Sequence, residues 1–339
     1  MLRVGLIGAG HVGTKRATVI GRDHDTRLTL VHDRDPAAAQ TLAQAHGADT
    51  RTDWRAVVED QSVDIVIVAT FHDALATISS AALQAGKHVL CEKPVGRNPV
   101  EVRAVAAAVA ASGRCFKAGY NHRYHPALVK VRHLYNQGHL GPLTFIRGRY
   151  GHGGRPGYES EWRGQADRAG GGELLDQGAH LIDLALWFFD DFAAVTGFVA
   201  TQVWDMAPLE DNAFGLFRTD AEQIASLHVS WTQWKNLFSF EVFGRDGYAS
   251  VEGLGGSYGP EQAVWGRRSP GGPPQLEHFA FPEEDFSWNA EWTDFTRAIA
   301  GEGPALDDAS RAVRTMEWIY RLYRASEENR AVFAKEAPT

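Results

Sequence analysis

The chain has 339 residues, of which 44% are hydrophobic and 22% are charged, and its formal net charge is −8. This length exceeds what one hydrophobic core usually supports, so two domains are expected, and the composition is that of an ordinary globular protein. The chain has no Lys/Arg-rich block, which argues against a nucleic-acid partner because phosphate binding needs clustered cations. The sequence therefore predicts a small-molecule partner.

Membrane and secretion signals are also lacking. No apolar stretch approaches the ~20 residues that a membrane-spanning helix needs, and the N terminus does not have the pattern of a signal peptide. The two cysteines, Cys91 and Cys115, are too few for a disulfide framework and are expected to be reduced in buried strands. Together these features predict a cytoplasmic protein with no membrane partner.

A strand, a glycine-rich turn and a helix follow one another at the start of the chain. The turn has the pattern G-x-G-x-x-G and consists of Gly8, Ala9, Gly10, His11, Val12 and Gly13. In dinucleotide-binding folds the first glycine permits the tight turn, the second lets the backbone approach a pyrophosphate, and the third permits close helix packing. The helix that follows would offer free N–H groups to the phosphates.

An acidic residue ends the next predicted strand at the distance that this motif requires. Asp33 lies 20 positions after Gly13, close to the spacing of the acid that binds the adenosine ribose hydroxyls. The alternative for Asp33 is a turn or N-cap acid before Pro36. Arg34 follows and could stack on adenine or bind a 2'-phosphate, so Asp33 favours NAD whereas Arg34 leaves NADP open.

Two further strands end in polar residues that are expected to line the cofactor cleft. The β-branched run 63–69 is typical of a central parallel strand and is followed by Thr70, Phe71 and His72. Strand 88–92 leads into Glu92-Lys93-Pro94, where the proline would hold the lysine in extended backbone so that it projects a cation. The alternative to a role in the cleft is an ordinary loop histidine for His72 and a surface lysine for Lys93. Six strands with intervening helices predict a doubly wound parallel sheet, a Rossmann domain, over residues 1–120.

Residues 121–339 have a different pattern and are assigned to a second, α+β domain. Strand-like runs near 195–204, 213–219, 223–231, 238–243 and 248–252 predict a mostly antiparallel sheet, and 253–275 reads as a Gly/Pro-rich loop. Helices are predicted near 287–300 and 307–328. The long loop 150–169 is a candidate lid.

Three consecutive glycines, at 170–172, precede a predicted helix with Asp176, His180 and Asp183 on one face at i, i+4 and i+7. A carboxylate stacked on an imidazole is an acid/base pair, although an incidental pair on a solvated helix face is the alternative. No H-E-x-x-H or Cys/His spacing accompanies these residues, so no metal site is predicted.

These motifs together resemble the glucose-fructose oxidoreductase / inositol dehydrogenase / rhizopine catabolism (Gfo/Idh/MocA) family. The resemblance is carried by the glycine turn, by Glu92-Lys93-Pro94, by Arg123-Tyr124, and by Gly170-Gly171-Gly172-x-Leu174-Leu175-Asp176-x-Gly178-x-His180-x-x-Asp183. It implies a Rossmann domain followed by a domain whose open sheet serves as an oligomer interface, giving a homodimer or homotetramer. Phe71 departs from the proline that many members have.

The resemblance also implies hydride transfer between a nicotinamide cofactor and a hydroxyl-bearing carbon of a sugar, polyol, inositol or nucleotide-sugar. Lys93, Asp176 and His180 would form the catalytic group, with His180 as the base, Lys93 stabilising negative charge on oxygen, and Asp176 orienting the ring or binding a neighbouring hydroxyl. The glycine triplet would let the cofactor or the sugar approach the backbone, and Asp183 is expected to have a structural role.

The predicted ligand-binding residues follow from these motifs. The cofactor set is Gly8, Ala9, Gly10, His11, Val12, Gly13, Asp33, Arg34, Thr70, Phe71, His72, Glu92, Lys93 and Asn121. The substrate set is Lys93, Arg123, Tyr158, Trp162, Arg163, Asp176 and His180, and Trp231 and Trp234 are further candidates for stacking on a sugar. The alternatives are a glycosidase that acts by transient oxidation with tightly bound NAD, and a non-catalytic NAD(P)-binding regulator.

Overall fold

The computed structural model describes residues 1–282, 284–303 and 308–338, which form two compact units. The first comprises Met1–Tyr120, Asp167–Gly170 and Trp288–Arg314, and the second comprises Asn121–Ala166, Gly171–Ser287 and Thr315–Thr339. The longest segment of the first unit ends at residue 120. The prediction placed all later residues in the second domain, however, whereas two later segments pack in the first unit.

The first unit is built on a parallel six-stranded sheet. Its strands are β1 (Leu2–Ile7), β2 (Thr26–His32), β3 (Asp49–Thr50), β4 (Ile65–Val68), β5 (His88–Glu92) and β6 (Phe116–Gly119). Their spatial order is β3-β2-β1-β4-β5-β6, and every neighbouring pair is parallel. This is the strand order of the Rossmann fold, so the predicted doubly wound sheet is confirmed.

Helices connect these strands, and three of the five begin at a side-chain cap. They are α1 (His11–Arg22), α2 (Pro36–His46), α3 (Trp54–Glu59), α4 (His72–Gln84) and α5 (Pro99–Ser112). Asp35, Asp53 and Asn98 cap α2, α3 and α5 by accepting backbone N–H bonds in the first turn. Helix α1 has no such side chain, because its N-cap is Gly10.

The second unit is built on a nine-stranded sheet. The first elements of this unit are α6 (Pro126–Asn136), β7 (Leu143–Gly151) and α8 (Ala179–Phe189). Helix α7 (Ala166–Ala169) lies at the division between the two units in the sequence. The remaining strands are β8 (Ala194–Ala200), β9 (Asn212–Arg218), β10 (Ile224–Ser230), β11 (Leu237–Gly244), β12 (Gly247–Glu252), β13 (Gln262–Arg267), β14 (Gln275–Ala280) and β15 (Val332–Phe333). The order is β14-β13-β12-β11-β7-β10-β9-β8-β15, in which only β7 and β10 are parallel among the described strands. The mostly antiparallel sheet is confirmed.

One part of the prediction for this sheet was wrong. Residues 253–275 were expected to form a loop, but β13 lies within them and pairs antiparallel with both β12 and β14. The run is short and flanked by Gly and Pro, so its extended conformation depends on backbone hydrogen bonds to neighbouring strands and not on local propensity.

Two helices close the chain, α9 (Ser287–Ile299) and α10 (Asp308–Glu328). They agree with the helices predicted near 287–300 and 307–328, although residue 307 lies outside the described residues. Trp292 and Phe295 of α9 belong to the hydrophobic core of the first unit, and the Trp292 indole donates to Asp23 at 2.8 Å. This packing explains why residues 288–314 join the first unit. Among the described helices, none is long and apolar enough to cross a membrane.

Candidate active site

The glycine turn of the first unit leaves backbone exposed where a phosphate would lie. Gly8 has a φ of 108°, and a Cβ on Gly13 would overlap the carbonyl oxygen of Gly8. Neither position therefore accepts a side chain. A Cβ on Gly10, by contrast, would meet no described atom within 4 Å, and the first N–H groups of α1 lack a side-chain cap. This open helix N-terminus fits the pyrophosphate of a dinucleotide.

Asp33 is held against this turn. Its Oδ2 accepts the Ala9 N–H at 2.6 Å and its Oδ1 accepts the Asp35 N–H at 2.8 Å, while the residue stays partly exposed. Arg34 is exposed. A carboxylate fixed beside the glycine turn suits the ribose hydroxyls of an adenosine, so the residues present fit NAD.

The residues after β4 are partly engaged within the first unit. His72 is the first residue of α4 and is buried, with its Nδ1 at 2.9 Å from the Ala169 carbonyl oxygen. The Phe71 ring lies 5.6 Å from the guanidinium carbon of Arg168. Thr70 and Phe71 are half-buried. Of these predicted cofactor residues, His72 thus has a hydrogen-bonding contact within the protein that the sequence did not suggest.

A buried ion cluster precedes the predicted catalytic lysine. Arg16 of α1 donates through Nε to Glu92 at 2.8 Å and through Nη1 to Glu291 at 2.6 Å. Burial raises the pKa of Glu291 despite the attraction of Arg16. Glu92 therefore bonds to protein, and it directly precedes Lys93, which is half-buried and joined to Pro94 by a cis peptide bond.

In the second unit, the last two glycines of the triplet, Gly171 and Gly172, pack close to a buried carboxylate. Glu210 accepts the N–H groups of Gly172 and Leu174 at 3.0 and 2.9 Å and the Tyr323 hydroxyl at 2.8 Å. A Cβ on Gly172 would overlap the Glu210 backbone, and one on Gly171 would overlap the Tyr323 hydroxyl. Packing against protein therefore accounts for these two glycines, which were expected to make room for cofactor or sugar.

The segment after the triplet is not the predicted α-helix throughout. Leu174–Gly178 is π-helical, and α8 begins at Ala179. The wider π turn changes the spacing of Asp176 from His180, and such turns are frequent at functional sites. Sequence periodicity assumed 3.6 residues per turn and could not reveal it.

Asp176 is paired with an arginine from the predicted lid loop. Its Oδ2 lies 2.7 Å from Arg163 Nε, and the Arg163 guanidinium carbon lies 4.3 Å from the centroid of the Trp162 ring. Burial alone would lower the pKa of Arg163, but Asp176 outweighs it, so this pKa lies above its ordinary value. Three predicted substrate residues are thus brought together by one ion pair and one ring contact.

The aromatic residues differ in exposure. Tyr158 is 3% exposed and packs edge-on against Trp231, which is fully buried, at 4.9 Å between ring centroids. Trp234 is 68% exposed. Tyr158 and Trp231 are therefore too buried in this structure to stack on a sugar.

His180 and its neighbours on the 3-10 helix Asn121–Tyr124 are buried. The His180 ring stacks on that of His122, with centroids 3.7 Å apart and planes 21° apart. Arg123 Nε lies 2.9 Å from Asp183 Oδ2, and Asn121 Nδ2 donates to Ser287 Oγ at 2.9 Å. The predicted cofactor residue Asn121 and substrate residue Arg123 therefore have protein partners, and Asp183 has the structural contact expected of it.

A tyrosine pair near these residues was not predicted. The Tyr150 hydroxyl bonds to that of Tyr258, which also accepts the Gln177 amide at 3.1 Å. Burial raises the pKa of Tyr150 well above its ordinary value and that of Tyr258 to about 12, so both hydroxyls are protonated at neutral pH. Tyr258 follows a glycine-rich stretch far from Gln177 in sequence, so no local signal pointed to this cluster.

Family models match both halves of the chain. Residues 2–120 match the model described as "Oxidoreductase family, NAD-binding Rossmann fold", and residues 128–250 match "GFO/IDH/MocA C-terminal domain". The chain belongs to the GFO/IDH/MocA family. Its first unit is an NAD-binding Rossmann domain, as the glycine turn and Asp33 indicate.

Named relatives of this GFO/IDH/MocA chain include two dehydrogenases. Levoglucosan dehydrogenase of Pseudarthrobacter phenanthrenivorans is 30% identical over 60% of the chain and 55% of its own length. Inositol 2-dehydrogenase of Rhizobium meliloti is 32% identical over 43% of the chain and 44% of its own length. The matches therefore span about half the length of these two relatives. The "Putative UDP-kanosamine synthase oxidoreductase subunit" of Amycolatopsis mediterranei is 30% identical over 74% of the chain and 75% of its own length.

Solved structures share the fold. A levoglucosan dehydrogenase in complex with NADH has a TM-score of 0.90 at 21% identity and covers 99% of both chains. GenD2 from gentamicin A biosynthesis, in complex with NAD, has a TM-score of 0.85 at 24% identity and covers 99% of this chain and 97% of its own. These similarities establish the architecture of the GFO/IDH/MocA chain.

The site residues of the second unit define what chemistry is available there. They supply an imidazole, a carboxylate paired with a guanidinium, and neutral tyrosine hydroxyls. This set can accept a proton and hydrogen-bond several hydroxyl groups. Among the described residues, no group of three or more His, Cys, Asp or Glu side chains is arranged to hold a metal ion.

Proposed function

We propose that this GFO/IDH/MocA protein is an NAD-dependent dehydrogenase that oxidises a hydroxyl-bearing carbon of a sugar, polyol or nucleotide-sugar. The observation that carries the proposal is the arrangement of the segment after the glycine triplet, where a buried imidazole, His180, follows a carboxylate, Asp176, that an arginine holds. An NAD-binding domain in the same chain supplies the second requirement of such a reaction.

In the proposed reaction, bound NAD supplies the hydride acceptor. Loss of hydride from carbon is favourable only if the hydroxyl proton also leaves, so a base near neutral pKa is needed, and imidazole is suited to it. His180 accepts this proton. Lys93 stabilises the negative charge that develops on the oxygen, and each such group typically contributes ~10²- to 10⁴-fold.

Asp176 orients the substrate in this proposal. Its pairing with Arg163 at 2.7 Å favours the ionised carboxylate, which can accept hydrogen bonds from a neighbouring hydroxyl. Arg163 and Trp162 lie next to this carboxylate and are proposed to contact the substrate, as is Arg123 if its pairing with Asp183 adjusts.

The substrate class is supported by the relatives and by the side chains. Two of the three named relatives are a levoglucosan dehydrogenase and an inositol 2-dehydrogenase, whose names specify polyhydroxylated rings. The second unit provides several donors and acceptors close together, among them Gln177, Tyr258 and Asp176. Such clustering suits a ligand with adjacent hydroxyl groups.

The test is a panel of polyols, sugars, anhydrosugars and nucleotide-sugars, assayed for reduction of NAD or NADP by nicotinamide absorbance. We expect at least one compound to be oxidised, and His180→Ala to reduce turnover of it by ~10²-fold or more with NAD affinity nearly unchanged. Glycoside cleavage without net cofactor turnover would favour a glycosidase instead. Near-normal turnover by His180→Ala would exclude His180 as the base.

We also propose that a second copy of the chain covers one face of the nine-stranded sheet. Phe198, Phe214 and Leu216 lie on neighbouring strands β8 and β9 and are 63%, 50% and 50% exposed. An exposed apolar patch on a sheet face is typical of an association surface. Sedimentation velocity should show a dimer or tetramer, and Leu216→Arg should shift it towards monomer; a wild-type monomer at micromolar concentration would contradict the proposal.

A further inference from the structure

His122 was not among the predicted site residues, yet it makes the closest ring contact to the proposed base. Its imidazole lies face to face with that of His180, with centroids 3.7 Å apart and an interplanar angle of 21°. Both residues are 5% exposed. The 3-10 helix that carries His122 is far in sequence from α8, so this stack exists only because the tertiary fold brings the two segments together.

A directed series of hydrogen bonds fixes the His122 ring. Ser287 Oγ donates to Asp285, and it therefore accepts from Asn121 Nδ2, which lies 2.9 Å away. This orients the Asn121 amide so that its Oδ1 faces His122 Nδ1 at 3.2 Å. An amide oxygen only accepts, so the His122 ring donates through Nδ1.

Other rings enclose His122 on its remaining sides. Tyr150 is 5.2 Å away, His125 is 5.5 Å away and edge-on, and Phe238 is 5.8 Å away and edge-on, all measured between ring centroids. His125 is itself held by Glu261, at 2.9 Å from its Nδ1. The His122 ring is thus fixed in its plane by a hydrogen bond and enclosed by packed neighbours.

We propose that His122 is a positioning residue for the base of the proposed reaction: its ring is a rigid surface that sets the plane of the His180 imidazole. The proposal rests on the proposed function. A base must point an in-plane lone pair at the substrate proton, so tilting of the ring is costly. A stacked partner restrains tilt without occupying a ring nitrogen, whereas a hydrogen-bonded partner would use one.

The hydrogen-bond series distinguishes this arrangement from ordinary apolar packing. A space-filling position in a core is served as well by Leu or Phe, and burying a polar ring costs free energy unless it is hydrogen-bonded. Here the cost is offset by the bonds that link His122 through Asn121 to Ser287 and Asp285. An amide partner, unlike a carboxylate, also places no negative charge beside the His122 ring.

The test compares two His122 variants, one that keeps an aromatic ring and one that keeps a hydrogen-bond donor. His122→Phe keeps a flat ring under His180, and His122→Gln keeps a donor for Asn121 but no ring. The control is His139→Phe, which changes an exposed histidine of the same unit whose ring centroid lies 4.9 Å from that of Trp265. Measurements are kcat and KM for the panel compound oxidised fastest, NAD affinity, and Tm.

We expect His122→Gln to lower kcat by about 10- to 100-fold with KM and NAD affinity within about threefold, because ring misorientation affects the chemical step. His122→Phe should restore kcat to within about fivefold of wild type, and His139→Phe should match wild type. Wild-type kcat in His122→Gln, or an equal loss in both His122 variants, would overturn the proposal.

An NMR measurement on the wild-type protein covers the case in which a variant fails to fold. Stacking should move the His180 Cε1–H resonance upfield by ring current, and comparison with His180→Asn assigns it. An unshifted resonance overturns the proposal. Failure of every panel compound to reduce NAD or NADP would reject the proposed function itself, and near-normal turnover by His180→Asn would reject His180 as the base. An inactive His180→Asn with fully active His122 variants would reject only the role of His122.

Discussion

The two units present functional groups of different kinds. The cofactor turn of the first unit consists mainly of backbone N–H groups, with Asp33 as its one charged side chain, and lies within the first 33 residues. The candidate site of the second unit consists of side chains, among them His122, Arg163, Asp176, His180 and Tyr258, and most of them are buried or half-buried. The proposed cofactor site therefore relies mainly on backbone groups, and the proposed substrate site relies on side chains.

The difference has an energetic basis. Backbone amides at a helix N-terminus are already oriented by the helix, so little is lost when a phosphate binds. Buried side chains must instead be held by partners, as Arg163 holds Asp176 and as Asn121 holds His122. Each such partner is a place where substitution changes function without touching the substrate.

Arg163→Met tests how much the second site depends on such a partner. Removal of the guanidinium leaves the largely buried Asp176 carboxylate without its cation, which costs roughly 1–3 kcal/mol for the ionised form. We expect kcat/KM for the oxidised panel compound to fall by about 10- to 100-fold, with NAD affinity unchanged. Steady-state kinetics and a binding titration measure both quantities.

The matched control is Arg155→Met in the same loop. Arg155 also pairs with a carboxylate, Glu161, at 2.8 Å, but its side chain is 64% exposed. Exposed ion pairs contribute little, so kcat/KM should stay within about twofold of wild type. Equal losses in the two variants would mean that Arg163 only supports the loop, and no loss in either would mean that Asp176 does not need its arginine.

The same contrast decides what the sequence could predict. Gly8, Gly13 and Asp33 are constrained by local backbone geometry and by fixed spacing. The Rossmann sheet was predicted from six strands that alternate with helices, and its strand order came from the structure. Strands β8 to β12 of the second sheet were predicted from their own sequence patterns, whereas β13 and β14 were not. The residues of β13 adopt a strand only when paired with β12 and β14.

The partners in the second site could not be predicted, because their contacts are not local. His122 and His180 stack although they are 58 positions apart in the sequence, and Gln177 reaches Tyr258 across 81 positions. The π-helical turn at Leu174–Gly178 also breaks the periodicity on which Asp176 and His180 were placed on one face. The motif identified Asp176 and His180 themselves, whereas the residues that contact them could be identified only from the structure.

Asp33→Ala tests the cofactor half and has the smallest expected effect. Its carboxylate accepts the Ala9 and Asp35 N–H groups and is proposed to bind the ribose hydroxyls. Its loss should lower NAD affinity by about tenfold and leave kcat at saturating cofactor within about twofold of wild type. Arg34→Ala removes an exposed neighbour and should leave NAD affinity within about twofold.

Asp33→Asn separates shape from charge, because the amide oxygen can still accept the Ala9 N–H whereas the repulsion of a 2'-phosphate is gone. We expect Asp33→Asn to reduce the preference for NAD over NADP. Arg34→Ala should increase that preference, because the arginine can attract the 2'-phosphate. Binding titrations with both cofactors measure this, and an unchanged NAD affinity in Asp33→Ala would show that the backbone turn alone holds the dinucleotide.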